Sequence, residues 1–168
     1  PEFLDRLCLS GEVMWGRLSP HPAFERAEPG RRVRPTRVAP LSLFLREDAE
    51  WLMAGPAPAE VEPSLSHPAR EVLEQLRQRG ACFFNELTRA AHRLASEVED
   101  ALWELVAAGL VTADGFENLR SLIDPKRRRG EGRGRSARPR HAAGRWALLR
   151  RQPNGHLPVE AFAKQLLL

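Results

Sequence analysis

Tyrosine is absent from this 168-residue sequence, and cysteine and methionine occur only twice each. Cys8 and Cys82 lie in separate apolar segments, with no CxxC pair and no Cys/His ligand spacing. That excludes a disulfide scaffold and a zinc ribbon, and leaves two structural thiols suited to a reducing cytosol. No run of about 18 apolar residues occurs, so no segment is expected to span a membrane. The N-terminus lacks the charged-then-apolar pattern of a secretory signal. No P-loop, DExH-type box or nucleophile elbow is present, which removes the chemistry those motifs carry. His21, His67, His92, His141 and His156 are scattered without metal-ligand spacing. Asp114 and Glu117 are close in sequence, but a polar rim suits them better than a general acid–base pair. No catalytic residue, metal or cofactor is therefore expected in this fragment.

What the chain does have is positive charge, unevenly placed. The stretch Lys126 to Arg140, "KRRRGEGRGRSARPR", sets eight basic residues against Glu131 alone. It contributes +7 to a net charge of +4, so the remainder carries −3. A second stretch, Phe24 to Pro40, holds Arg26, Arg31, Arg32, Arg34 and Arg37 against Glu25 and Glu28. Cationic blocks on an otherwise mildly acidic chain point to phosphate backbones. DNA, duplex or single-stranded, is the leading expected partner. No membrane is expected as partner, because no amphipathic basic helix accompanies the blocks.

The expected elements follow from apolar spacing and caps. Ser66 precedes "HPAREVLEQLRQR", where Val72, Leu73 and Leu76 share one face and Gly80 ends the helix. "ACFF" reads as a short strand, and Asn85 as the cap of a brief helix. Ser96 with Glu99 three residues on suggests a capping box for "SEVEDALWELVAA", which Gly109 stops. "LVTAD" and "RWALLR" read as strands, and "FENLRSLI" as a helical turn. Helix, strand, helix, helix, strand, long connection, strand is the order of a winged helix. The basic block then lies in the connection between the last two strands.

The flanks repeat parts of this unit. Leu4, Leu7, Gly11 and Val13 match Leu102, Leu105, Gly109 and Val111 at a constant offset of 98, and "PLSLFLRED" supplies a closing strand. "LPVEAFAKQL", Leu157 to Leu166, echoes "SHPAREVLEQL" in its proline, apolar and Gln-Leu positions. The expected fold is mainly α with small β-hairpins, as tandem winged-helix units. Residues 1–54 would be the C-terminal half of one unit and 55–65 a Pro/Ala linker. Residues 66–152 would be a complete unit with a long basic wing, and 153–168 the first helix of another.

The expected DNA contacts are therefore Arg31, Arg32, Arg34 and Arg37 in the first connection. In the second they are Lys126, Arg127, Arg128, Arg129, Arg133, Arg135, Arg138 and Arg140. Such side chains grip phosphates without reading bases. The helix before the second connection carries Glu97, Glu99, Asp100 and Glu104 and no Arg or Lys, so base readout by it is not expected. Either it faces another domain, or DNA meets only the two basic connections and the turn before this helix, with Arg89, His92 and Arg93. Trp103 and Trp146 fall at core-like positions, whereas Trp15 is open to core packing or base stacking.

The segments "LDRLCLSGEVMWGRLSP", "PTRVAPLSLFLREDAEWL", "VEDALWELVAAGLVTADGFENLRSLIDPKRRR" and "GRWALLR" resemble the C-terminal region of bacterial Lhr, the large helicase-related proteins. The resemblance implies a piece of a longer, cytoplasmic, nucleoid-associated DNA-repair protein whose ATP-dependent helicase core lies elsewhere. It also implies similarity to winged-helix DNA glycosylases of the AlkZ type, although no position here matches that family's aspartate. The expected function is a non-catalytic, architectural DNA-binding module. The alternatives are part of a uracil-DNA glycosylase-like region, or a module docking other domains of the parent helicase or identical subunits as a homo-oligomer.

Overall fold

The computed structural model describes residues 2–25, 40–53, 61–123 and 144–149, together with helical residues 159, 160 and 163. These residues are mainly helical, with small antiparallel sheets. No described helix is long and apolar enough to cross a membrane.

Helix α4, His67–Arg79, starts where Ser66 Oγ accepts from the Ala69 amide, and Pro68 occupies its first turn. It ends at Gly80, whose φ of 80° lies in the left-handed region that favours glycine. Strand β3, Cys82–Phe83, helix α5, Phe84–Ala90, and helix α6, Ala95–Ala107, follow. The caps of both later helices differ from the sequence expectation. The Glu86 carboxylate accepts from the Phe83 amide, and the Glu97 carboxylate from the Leu94 amide. Each helix thus begins two residues before Asn85 and Ser96 would place its cap, because a glutamate in the first turn satisfies the leading amide instead.

Strand β4, Val111–Ala113, and strand β5, Arg145–Leu148, pair antiparallel, Val111 opposite Leu148 and Ala113 opposite Trp146. Strand β3 pairs with the other edge of β5, giving the order β3-β5-β4. Helix α7, Phe116–Ile123, stands just after β4, where the helical turn was expected.

The N-terminal half repeats the second part of this arrangement. Helix α1, Glu2–Ser10, is followed by Gly11 with φ of 83°, as α6 is followed by Gly109 with φ of 71°. Strand β1, Val13–Gly16, pairs antiparallel with strand β2, Ser42–Leu45, with Val13 opposite Leu45. Val13 and Val111 are 98 residues apart, whereas their strand partners Leu45 and Leu148 are 103 apart. The second connection is therefore longer by the difference. Short helices α2, Pro22–Glu25, and α3, Ala49–Leu52, complete this half.

Both halves share one core. Cys8, Trp15 and Phe24 belong to the same buried cluster as Leu73, Leu76, Leu102, Leu105 and Trp146. Trp15 and Trp146 meet edge to face, their ring centroids 6.1 Å apart at 88°. Beside them, Thr112 Oγ1 donates to the Trp15 carbonyl at 2.6 Å in a fully buried bond. Gly16 passes so close to Leu149 that a Cβ there would meet its Cδ2 at 2.8 Å. Val61 and Leu65, at the end of the stretch read as a linker, are buried in this core as well.

Thr112→Val keeps the shape but leaves a buried carbonyl without its donor. We expect a loss of about 1–3 kcal/mol in denaturant unfolding. Thr112→Ser, which retains the hydroxyl, should lose less.

Candidate nucleic-acid interface

The predicted phosphate-binding residues Arg31, Arg32, Arg34 and Arg37 lie outside the described residues, as do Lys126, Arg127, Arg128, Arg129, Arg133, Arg135, Arg138 and Arg140. The structure describes the residues that flank these segments.

The second connection leaves and returns at one point. Asp114 Oδ2 accepts from both the backbone amide and Nε of Arg145, at 3.3 and 2.9 Å. Asp114 N donates to the Arg145 carbonyl, and Asn118 Nδ2 to the Gly144 carbonyl. Gly144 packs so tightly that a Cβ would sit 3.0 Å from the Gly115 nitrogen, so a side chain would push the two ends apart. Hydrogen bonding to Asp114 raises the pKa of Arg145.

The start of this connection is also tied down. Arg120 Nη1 reaches Asp5 Oδ2 at 2.7 Å and Glu117 Oε2 at 2.9 Å, and its guanidinium lies 5.0 Å from the Phe116 ring centroid. Burial opposes the charge on Arg120, but the hydrogen bonds to Asp5 and Glu117 outweigh it and raise its pKa. Asp114 and Glu117 thus hold Arg145 and Arg120, as a polar rim would.

The first connection begins beside α6. The His21 amide donates to the Ala107 carbonyl at 2.9 Å, and His21 Nδ1 accepts from the Ala23 amide at 3.0 Å. Arg17 is buried, with its Nε on the Ser19 carbonyl, and burial lowers its pKa. Burial, with the adjacent Arg17 charge, lowers that of His21.

Trp15 touches Thr112 and Trp146, whereas Gly16, one residue on, touches Leu149, which bonds back to Leu110. Strands β1 and β4 therefore pass in opposite directions. The two basic connections set out from opposite ends of this seam, one beside α6 and the other beside α1.

The turn before α6 differs from expectation. Arg93 is taken up by Glu71 Oε2 at 2.7 Å, by Glu97 and by His67 Nδ1, so it is not displayed for a phosphate. The hydrogen bond to Arg93 holds the Glu71 carboxyl below its ordinary range. Arg89 and His92 are exposed, the latter with φ of 50°. Glu104 does not face another domain: it is buried, and its carboxylate takes the amide and hydroxyl of Ser66 at 2.6 and 2.7 Å. Trp15 and Trp146 are fully buried, which settles Trp15 as a core residue rather than a stacking platform. Sequence patterning marked none of the Asp5–Arg120, Ser66–Glu104 or Thr112–Trp15 contacts. Each joins residues distant in the chain, where periodicity carries no signal.

The chain is similar to a protein of Mycolicibacterium smegmatis, with 35% identity over 138 residues. That relative is named Lhr helicase/probable uracil glycosylase. The match covers 77% of this chain and spans 8% of the relative's length, and it supports an Lhr-related region. No family model matches the chain.

The depressed His21 pKa gives a pH signature. The fold prefers neutral His21, so this contribution to stability is present above the ordinary value of 6.5 and is lost as pH falls through the lowered value. His21→Asn, whose Oδ1 can accept from Ala23 without titrating, should flatten the fall of thermal midpoint with pH below 6.5.

Proposed function

We propose that this chain is a DNA-binding, architectural module of an Lhr-type repair protein, gripping phosphates through its two Arg-rich connections. The observation that carries the reading is that residues 115–143, α7 and the basic stretch after it, join two strands hydrogen-bonded to each other, β4 and β5, whose adjoining ends are clamped at Asp114 and Gly144. In this reading residues 66–152 form a winged helix with the basic block as its wing. Residues 1–54 form the back half of a preceding unit, 55–65 a linker and 153–168 the first helix of a following one. The order α4-β3-α5-α6-β4-β5 and the sheet order β3-β5-β4 support it. The matched glycine, helix and strand pair of the N-terminal half support the tandem arrangement.

The contacts would be Arg31, Arg32, Arg34 and Arg37 at one end of the β1–β4 seam and Lys126 to Arg140 at the other. A polyanion engaging both would be held at two separated points, with little direct readout of bases. The parent protein would supply ATP-driven translocation, and this region would hold the DNA. A second reading rests on the relative's printed name: the chain forms part of a uracil-excising region. Abasic sites in uracil-containing DNA after incubation with the chain would favour it.

A salt titration of DNA binding tests the main reading. With about six phosphate contacts, affinity should fall by about three orders of magnitude between 50 and 200 mM salt. Deleting residues 130–143, which carry Arg133, Arg135, Arg138 and Arg140, should weaken binding and make the salt slope shallower. Binding that is undetectable, or insensitive to salt, removes the proposal.

A further inference from the structure

The outer face of the three-stranded sheet carries an aromatic ring beside a guanidinium. Strand β3 turns Cys82 inward, where it is 4% exposed, and Phe83 outward, where it is 45% exposed. Strand β5 alternates in the same way, with Arg145 exposed and Trp146 buried. The register sets Phe83 directly opposite Arg145, so both side chains rise from one face. Directly opposed side chains start about 4.5–5.5 Å apart at Cβ, within the span of a single nucleotide.

A lone exposed apolar side chain is ordinary, but this one is held in place. Its neighbours Cys82 and Phe84 are both buried, and its amide donates to the Glu86 carboxylate at 2.7 Å. The ring therefore stands on a fixed stretch of backbone. Gly80 and Ala81, which lead into β3, are exposed as well, and a Cβ on Gly80 would meet no atom within 4 Å. Arg145 is held from the other side. Asp114 Oδ2 takes its backbone amide and Nε, while its two Nη groups bond no described residue. The nearby acids are thus both engaged, Glu86 by the Phe83 amide and Asp114 by Arg145. In sequence, Arg145 stands five residues after the end of the cationic stretch Lys126–Arg140.

We propose that Phe83 and Arg145 form a platform for single-stranded DNA, with an unpaired base stacked on the Phe83 ring and its phosphate accepting from Arg145 Nη. The inference rests on the DNA-binding reading and names the form of DNA that this face takes. A duplex keeps its base faces inside its own stack, so the ring discriminates where basic side chains alone do not. Every base has such a face, so stacking here is tolerant of sequence. One ring and one guanidinium offer far less than the roughly 800 Å² a side of a standard protein interface, but they match one nucleotide.

The test uses single-stranded DNA of about 16 nucleotides carrying one 2-aminopurine, and the same strand in a duplex. The wild-type chain should quench the fluorescence of the single strand and bind it with an affinity that falls steeply with salt. Phe83→Leu keeps apolar bulk but offers no ring. It should weaken single-strand binding by at least about fivefold and lose the quenching, with duplex affinity and salt slope unchanged. Phe83→Trp should keep both the affinity and the quenching. Far-UV circular dichroism should be the same for all three chains, because the side chain is half exposed. Single-strand affinity and quenching in Phe83→Leu equal to the wild type overturn the inference while salt-dependent binding stands, and leave the ring to a partner protein. A wild-type chain that binds neither form of DNA removes the DNA-binding reading, and this inference with it.

Discussion

The edge-to-face contact of Trp15 and Trp146, with the Thr112 hydroxyl on the Trp15 carbonyl beside it, is the constraint on which the rest of the molecule depends. Among its described residues the N-terminal half offers a two-stranded sheet and short helices, too little to be stable alone in water. Its large side chains become buried where this seam lays them on the helices and sheet of residues 61–149. Trp15 loses all contact with solvent there, and Cys8 and Phe24 join the same cluster. The halves are thus one body with two outlets, and the direction of β1 against β4 decides where each outlet opens.

Much of this was legible in the sequence, and the exceptions share a cause. The apolar stripe of α4, its Ser66 cap and the glycines after α1, α4 and α6 are local patterns, and each element stands where its pattern put it. The strands at Cys82, Val111 and Arg145 were legible as short apolar runs between breakers. The caps of α5 and α6 were misplaced because a backbone amide needs an acceptor and not a particular residue type. Glu86 and Glu97 supply one to Phe83 and Leu94. Trp15 was ambiguous because its hydrogen-bond partner lies 97 residues away.

The carboxylates of α6 show how charge misleads when counted by segment. Four acids near a proposed polyanion suggest repulsion, but Glu104 is consumed inside the fold by two donors of Ser66, and Glu97 by the Leu94 amide and Arg93. A buried carboxylate with good donors on both oxygens is a tether between helices more than a surface charge. The same accounting removes Arg93 from the surface inventory while leaving Arg89 on it.

The clasp formed by Asp114, Asn118 and Gly144 insulates the sheet from whatever hangs beyond it. Because the chain departs and rejoins at touching residues, inserting or deleting loop residues alters only a closure entropy that grows by about 0.6 kcal/mol per doubling of length. The two connections already differ in length while keeping the same strand pairing. The length and charge of the stretch beyond the clasp can thereby be altered with little consequence for folding.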